Sequence, residues 1–212
     1  RYLEFMFGCW WAGLVVVPVN NKLHLKEVQW IADNAQASWA FVTRDLVPHD
    51  SDLQGLQGVV EADSPQADAM LQHPAPLPAI TERGADDTAW LFYTSGTTGR
   101  PKGVMITHRN LFTLTGCYFS DVDLIEPGDS ILHAAPMSHG SGLYIPPHIA
   151  HAALNVVPES GGFDPAEIYS LLGAHRGVTM FAAPTMVKRM VDHPADADSS
   201  NLKTIVYGGG PM

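Results

Sequence analysis

The sequence has few cysteines and few charged residues, and both shortages narrow what the protein can be. Its 212 residues include only Cys9 and Cys117, with no CxxC spacing. Two cysteines cannot supply a disulfide framework, so they predict a reducing, cytoplasmic compartment and two small buried thiols. Charged residues make up 16% of the chain, well below the value of about 25% for typical soluble domains. The 46% of hydrophobic residues are enough for a sizeable core.

Positive charge is scarcer still. Twelve Lys and Arg residues stand against 22 Asp and Glu residues, which gives a formal net charge of -10. A nucleic-acid-binding surface needs clustered cations that neutralise phosphates, so this class of protein is excluded. Any anionic ligand has to be held locally, by backbone N–H groups and one or two cations.

Long hydrophobic runs are also missing. The apolar stretch 5–19 is too short to span a bilayer, and Gly8, Gly13 and Pro18 interrupt it. No small-x-small cleavage pattern follows it, so we interpret it as a buried helix and a buried strand rather than a signal peptide. Because the chain begins with Arg rather than Met and stops within a glycine-rich segment, we expect it to be a piece of a longer protein.

Hydrophobic periodicity predicts alternating helices and strands. Apolar residues at helical spacing favour amphipathic helices, and uniformly apolar short runs favour buried parallel strands. The predicted helices are 2–12, 25–36, 108–119, one that ends near 151, 165–175 and 185–191. The predicted strands are 14–17, 39–43, 58–60, 89–93, 104–106, 131–134, 154–157, 178–182 and 204–207. Asp164 should cap its helix, with Glu167 reaching back. This order predicts an α/β fold of stacked, mostly parallel sheets flanked by helices.

Composition divides the chain into two lobes. Residues 1–61 form a first α/β segment, and residues 89–212 form a second α/β lobe. The intervening segment 62–88 is rich in Ala, Pro and Asp. Its residues 73–78 cannot be the interior of a helix, since three of the six are proline. We therefore interpret 62–88 as a linker at the surface.

The loop between the strands 89–93 and 104–106 has the composition of a phosphate-binding loop. Its glycines permit positive φ angles and close approach of a ligand, and successive N–H groups can form a nest for an anion. Hydroxyl groups and one ammonium can bind phosphate oxygens or Mg²⁺. These residues are Thr94, Ser95, Gly96, Thr97, Thr98, Gly99, Lys102 and Gly103. It is not a P-loop, because Pro101 precedes the lysine and a strand follows. An ordinary Ser/Gly-rich hairpin loop is the simpler alternative.

The segment 93–104, YTSGTTGRPKGV, closely resembles the signature loop of the adenylate-forming superfamily, which comprises acyl- and aryl-CoA synthetases, peptide-synthetase adenylation domains and luciferases. Residues 12–20 resemble the family's early helix–strand segment. Residues 136–142 resemble its Pro-aromatic-His loop, with Ser138 where an aromatic residue is usual. Residues 207–212 resemble the start of its adenine-binding segment. The resemblance implies a partial N-terminal domain of an acyl-CoA synthetase-like fold.

The resemblance also implies a two-step reaction. A carboxylate, fatty or aryl, attacks the α-phosphorus of ATP to give acyl-AMP and pyrophosphate, and a thiol such as CoA then displaces AMP. ATP, Mg²⁺ and CoA are the implied cofactors. Thr94, Ser95, Gly96, Thr97, Thr98, Gly99 and Lys102 would hold the β- and γ-phosphates, with Thr94 also near Mg²⁺. Gly208, Gly209, Gly210 and Pro211 would pack on adenine. His139 would be the catalytic residue at the acyl pocket and thiol channel, and 133–142 and 181–186 could form one pocket wall.

Several alternatives stay open. The chain could belong to an adenylation domain that loads a carrier protein, to a non-catalytic nucleotide-binding module, or to an unrelated protein with a convergent loop. His139 could simply satisfy backbone groups in its own loop. His148 and His151 could form a metal pair, although the absence of an evident third ligand favours exposed or helix-packing roles. Apolar strand faces exposed in a partial domain could also support association between copies.

We expect residues 1–212 alone not to form an acyl-adenylate. The family's Mg²⁺-binding Glu, ribose-binding Asp and catalytic Lys all lie outside this sequence, and Lys102 is not that lysine. ATP–pyrophosphate exchange with a panel of carboxylates measures the reaction directly. Clear exchange by these 212 residues would contradict the expectation.

Overall fold

The computed structural model describes residues 1–72, 78–94, 101–194 and 198–210. Within these ranges the helices are α1 (Tyr2–Trp11), α2 (Leu25–Asn34), α3 (Pro65–Leu71), α4 (His108–Asp121), α5 (Gly140–Leu143), α6 (Ile145–Ala150), α7 (Pro165–Ala174) and α8 (Pro184–Val191), with a 3₁₀ turn at Asp50–Asp52. The strands are β1 (Trp39–Val42), β2 (Gly58–Glu61), β3 (Thr88–Thr94), β4 (Lys102–Thr107), β5 (Ser130–Leu132), β6 (Leu154–Val156), β7 (Val178–Ala182) and β8 (Leu202–Tyr207).

The described strands form three sheets, most of them paired in parallel. β1 pairs with β2 in parallel, β3 pairs with β4 in antiparallel, and a four-stranded parallel sheet has the order β6-β5-β7-β8. Helices alternate with these strands along the chain. The predicted α/β class with mostly parallel sheets flanked by helices is confirmed.

The chain separates into two units, Arg1–Arg109 and Asn110–Met212. The division that we predict at 62–88 stays a prediction. Helix α3 lies within that segment, and a recognisable start signal explains it: the Ser64 hydroxyl accepts a hydrogen bond from the Ala67 N–H at 3.2 Å, and Pro65 occupies the first helical position. A proline at the first helical position is compatible with a helix, which sequence composition alone did not reveal.

The strand predicted at 14–17 is wrong except at one residue. Val16 forms an isolated parallel bridge with Trp90: its N–H donates to the Ala89 carbonyl at 3.0 Å, and its own carbonyl accepts from the Leu91 N–H at 2.9 Å. Val16 is buried, but the side chains of Leu14 and Val15 are 55% and 44% exposed. Although residues 14–17 are all apolar, only Val16 hydrogen-bonds to β3 as a bridge, and Leu14 and Val15 stay exposed.

The core of the second unit lies against the four-stranded sheet. Alternate residues of β5, β6 and β7 meet the apolar faces of α7 and α8, as parallel strands covered by helices require. The buried members are Leu132, Ala134, Val156, Ile168, Leu172, Val178, Met180, Ala182 and Met190. Burial of these side chains fixes which face of the sheet α7 and α8 cover.

The start of α7 is only partly as predicted. Asp164 is the N-cap, and its Oδ1 accepts from the N–H groups of Ala166 and Glu167 at 2.9 and 3.1 Å. Glu167 does not reach back to Asp164. Its carboxylate binds the backbone N–H and the hydroxyl of Ser160 instead, and the Ser160 hydroxyl bond lowers the pKa of Glu167. Ser160 therefore supplies the donors that Glu167 binds, in place of the backbone N–H of Asp164.

Both cysteines are free, but neither is fully buried. Cys9 is half-buried and Cys117 is exposed on α4, so the expectation of two buried thiols is wrong. Among the described residues, no helix combines the length and the hydrophobicity needed to cross a membrane.

An ion pair joins β8 to the turn before β5. The Lys203 ammonium donates to Asp129 Oδ2 at 2.7 Å and to the Leu124 carbonyl, and it lies 3.6 Å from Asp123 Oδ1. The Asp129 side chain is only 6% exposed. Burial raises the pKa of Asp129, but the hydrogen bonds from Lys203 and from the Glu126 N–H outweigh it and leave this pKa below its ordinary value.

Lys203→Met should lower the free energy of unfolding by about 3 kcal/mol near neutral pH, because it leaves a buried carboxylate without its cation. Since the pKa of Asp129 is lowered in the folded state, the stabilisation is present above the ordinary carboxyl pKa and is lost as the pH falls through the lowered value. Urea unfolding of the wild-type and variant proteins across this pH range measures both effects.

Lys188→Met is the matched control. The Lys188 ammonium pairs with Asp192, the residue directly after α8, and the lysine side chain is 74% exposed. Its loss should therefore change the free energy of unfolding by no more than about 0.5 kcal/mol. Equal destabilisation by the two variants would show that the Lys203 pair contributes no more than a surface pair.

Candidate functional site

The centre of the predicted phosphate loop lies outside the described residues. The residues concerned are Ser95, Gly96, Thr97, Thr98 and Gly99, and the same holds for Pro211 of the predicted adenine segment. The described members of the two segments are Thr94, Lys102 and Gly103 in the first unit and Gly208, Gly209 and Gly210 in the second.

Strands β3 and β4 hold the two ends of the loop in register. Thr94 is the partner of Lys102 at the last position of the antiparallel ladder, and Tyr93 is the partner of Gly103. The observed strands are therefore longer than the predicted strands 89–93 and 104–106, because Thr94 and Lys102 belong to the ladder rather than to the loop. Their pairing brings a hydroxyl and an exposed lysine together at the loop's base.

Tyr93 anchors this base to α2. Its hydroxyl donates to Asn34 Oδ1 at 2.7 Å, and its ring meets Trp30 edge-on with the ring centroids 6.2 Å apart. A Cβ atom at Gly103 would lie 2.9 Å from Cζ of Tyr93. The glycine is therefore required for the tyrosine ring to lie across the neighbouring strand. Burial raises the pKa of Tyr93, which keeps its hydroxyl a donor.

His139 lies in a tight loop that leads into α5. Its N–H donates to the Pro136 carbonyl at 3.0 Å, and its carbonyl accepts from the Gly142 N–H at 3.0 Å. The hydroxyl of Ser138, which is 4% exposed, lies 3.0 Å from His139 Nδ1. Burial lowers the pKa of His139, so the ring is neutral near pH 7 and can accept as well as donate a proton.

The loop of His139 and the glycine segment meet at one aromatic ring. A Cβ atom at Gly140 would lie 2.5 Å from Cε1 and Cζ of Phe181, and one at Gly208 would lie 3.4 Å from its Cε2. Tyr144 stacks against the same ring at 6.0 Å. The Gly208 N–H donates to the Ala182 carbonyl at 3.3 Å. Phe181, in the predicted pocket wall 181–186, therefore lies between the two predicted site segments of the second unit.

Gly209 has a conformation that favours glycine. Its φ is +88°, in the left-handed region, and nothing lies within 4 Å of the position its Cβ would occupy. Both properties suit a backbone that a planar ligand can approach closely. Binding of adenine by Gly208, Gly209 and Gly210 stays a prediction, as does the catalytic role of His139.

Sequence reasoning missed a buried polar chain beside the His139 loop. His133 Nδ1 lies 2.7 Å from Ser141 Oγ, and its Nε2 lies 2.9 Å from Asn155 Oδ1. His133 is 5% exposed and Ser141 is fully buried. Burial lowers the pKa of His133 to about 4. The available signal was a histidine and an asparagine at interior positions of two otherwise apolar runs, 131–134 and 154–157.

His148 and His151 have packing partners. His148 is 1% exposed, its Nδ1–H donates to the Tyr144 carbonyl at 2.7 Å, and its ring lies edge-on to Tyr118. His151 Nδ1–H donates to the Ile125 carbonyl at 3.0 Å. These contacts support helix packing over a metal pair. Across the described part of the chain, no three His, Cys, Asp or Glu side chains are placed to share a metal ion.

Comparison with known proteins identifies the family. The model of the AMP-binding enzyme family matches residues 1–212. A feruloyl-CoA synthase of Amycolatopsis sp is 32% identical, over 100% of this chain and 42% of its own length. The long-chain-fatty-acid–CoA ligase FadD13 of Mycobacterium tuberculosis is 28% identical, over 97% of this chain and 42% of its own length. The chain thus spans less than half the length of these curated relatives.

Solved structures agree in fold. The N-terminal domain of FACL13 from Mycobacterium tuberculosis superposes with a TM-score of 0.81 at 27% identity, over 98% of this chain and 53% of that one. ATP-bound MatB from Rhodopseudomonas palustris superposes with a TM-score of 0.79 at 25% identity, over 100% of this chain and 43% of that one. The resemblance inferred from the loop 93–104 is confirmed, and the chain belongs to the AMP-binding enzyme family.

Proposed function

We propose that this chain is part of an ATP-dependent, AMP-forming carboxylate–CoA ligase. In this reaction a carboxylic acid attacks the α-phosphorus of ATP, pyrophosphate leaves, and the thiol of CoA then takes the acyl group from acyl-AMP. The observation that carries the proposal is the ladder pairing of Thr94 with Lys102, which closes a loop of glycines and hydroxyls inside a chain that matches the family along its whole length.

In the first unit, the loop between β3 and β4 would hold the triphosphate tail. The Lys102 ammonium is a compact charge on an exposed side chain, suited to phosphate oxygens. The Thr94 hydroxyl is a hard oxygen ligand of the kind that Mg²⁺ accepts. When bound, Mg²⁺ would neutralise charge on the phosphates. The chain's own contribution is to position the tail, and phosphoryl chemistry of this kind depends mainly on positioning and charge neutralisation.

In the second unit, the segments around Phe181 would bind the adenylate. Gly209 leaves backbone open to a flat base, and the neutral His139 ring would lie where the carboxylate and the thiol meet. A neutral imidazole suits a carboxylate substrate because it can orient an oxygen by donating one hydrogen bond, without trapping the anion as a fixed ion pair.

The proposal also covers the class of carboxylic acid that is activated and the thiol that accepts the acyl group. Feruloyl-CoA synthase and long-chain-fatty-acid–CoA ligase are both relatives, so an aryl or a fatty acid is proposed. Loading of a carrier protein is the second candidate, because the fatty acid–[acyl-carrier-protein] ligase ScoC of Streptomyces coeruleorubidus is 29% identical over 100% of this chain. A cytoplasmic location belongs to the same proposal and is supported by the two free cysteines.

Lys102→Met in the full-length protein should weaken ATP binding by about 10-fold to 100-fold, the range for loss of a charge-assisted hydrogen bond. The KM for ATP in pyrophosphate exchange, together with calorimetric titration of ATP, measures this loss. Lys26→Met, which removes another exposed lysine, on α2, is the control and should leave ATP binding unchanged. Unchanged ATP affinity in Lys102→Met would contradict the assignment of the loop between β3 and β4 to phosphate binding.

Gly140→Ala should impair acyl-adenylate formation severalfold, because its Cβ would lie 2.5 Å from the Phe181 ring and force that ring to move. Phe181→Leu in the same chain should restore part of the rate, since the smaller side chain makes room. Stopped-flow or pyrophosphate-exchange rates with a saturating carboxylate measure both effects.

Gly173→Ala is the control for the extra methyl group. It lies on α7 with nothing within 4 Å of its Cβ position, so the rate should match that of the wild type. If Gly140→Ala is as active as Gly173→Ala, the contact with Phe181 does not shape the site.

A further inference from the structure

We propose that His133 is a positioning residue that holds the His139 loop in place through Ser141, and this inference rests on the proposed ligase function. The residues involved form a continuous chain in the second unit: Asn155 on β6, His133 directly after β5, and Ser141 in the first turn of α5. Ser141 lies two positions beyond His139.

The chain of hydrogen bonds has one consistent direction. Asn155 Nδ2 donates to the Ala153 carbonyl at 3.3 Å, which turns the Oδ1 atom of Asn155 toward His133. That oxygen can only accept, so His133 Nε2 carries the proton and Nδ1 is bare. Ser141 then donates its hydroxyl hydrogen to Nδ1. Each of the three side chains is satisfied without any charge.

Burial supports this neutral arrangement. His133 is 5% exposed, and Ser141 is fully buried. Burial outweighs the hydrogen bond to Asn155 and lowers the pKa of His133 to about 4, so the ring keeps one proton throughout the physiological range. A protonated ring would have a hydrogen on Nδ1 facing Ser141, and the hydroxyl would have to reverse its direction.

Helix α5 needs such an anchor because it is short. It spans only Gly140–Leu143, too few residues for a helix to be stable on its own hydrogen bonds. No side chain caps its start at His139. The bond from Ser141 to His133 therefore ties the first turn of α5 to the end of β5, where the His133 N–H also donates to the Val156 carbonyl at 2.8 Å.

The anchor acts on the predicted site and not on the core in general. Gly140, between His139 and Ser141, is the residue that packs against Phe181. A shift of α5 would therefore move His139 and change the contact with Phe181 together. Loss of the anchor should affect mainly the carboxylate and the chemical step. ATP affinity should change less, because the triphosphate tail is assigned to the first unit and only Gly208 of the adenine segment meets Phe181.

The decisive comparison is Ser141→Ala with Ser130→Ala in the full-length protein. Both serines are buried, at 0% and 1% exposure, and each hydroxyl makes a hydrogen bond, that of Ser130 to the Arg176 carbonyl at 3.0 Å. Ser130 lies at the opposite end of β5. Steady-state kinetics with varied carboxylate and varied ATP give kcat and both KM values, and thermal unfolding records the stability of each variant.

Ser141→Ala should lower kcat over carboxylate KM by up to about 100-fold, as misplacement of a catalytic group does, with a much smaller change in the KM for ATP. Ser130→Ala should leave all kinetic values at wild-type level even if it lowers stability equally. Equal kinetics for the two variants would overturn the proposal. An inactive wild-type protein would instead refute the ligase function itself.

Two substitutions of His133 test its hydrogen bonds to Ser141 and to Asn155 separately. An Asn side chain places its Oδ1 near the position of Nδ1, so His133→Asn keeps an acceptor for Ser141. A Gln side chain reaches instead toward the position of Nε2 and Asn155. We expect His133→Asn to retain most of the activity and His133→Gln to lose it. The reverse order would overturn the role of Ser141, and Ser141→Ala still decides the matter if either His133 variant fails to fold.

Discussion

Parallel pairing of β5 with its neighbours is the constraint on which the second unit depends. In a parallel sheet the carboxyl ends of all strands lie at one edge, and loops that follow them are brought together whatever their distance along the chain. Leu132 pairs with both Val156 and Met180, and Ala182 pairs with Tyr207. The residues after β5, β7 and β8 therefore share an edge, and this places the His139 loop and the glycine segment on the two sides of Phe181. In the first unit, the antiparallel pairing of β3 with β4 positions the predicted phosphate-binding residues, since its register places Thr94 beside Lys102.

Glycines of both units have a packing reason as well as a functional one. Gly140 and Gly103 are each covered by an aromatic ring that a side chain would displace, Phe181 in one case and Tyr93 in the other. Gly209 is different, because its neighbourhood is open and only its positive φ favours glycine. Glycines in the two motifs thus serve different purposes, and only those with open surroundings are free to face a ligand.

Sequence patterns predicted most elements because local signals were strong. The helix at 25–36 has apolar residues at helical spacing, and Asp164 has the chemistry of an N-cap; both are present in the fold. The strand at 14–17 failed because an apolar run does not reveal whether a neighbouring strand covers each of its residues. The chain from Asn155 through His133 to Ser141 was missed, because Asn155 meets His133 only when β5 and β6 pair, and Ser141 meets it only when the loop after β5 folds back. The loop motif identified the family, since it is long and local, but the anchor of α5 is a tertiary contact.

The Lys203 ion pair has a consequence for synthesis on the ribosome. Lys203 meets Asp129 across a separation of 74 residues, and the adjacent Thr204 meets Asp123 across 81. A growing chain exposes the two carboxylates long before it contains their cation, and translation adds roughly 5–20 residues per second. For several seconds the turn before β5 therefore carries two carboxylates without their cation, and burial of Asp129 is unfavourable until β8 supplies Lys203.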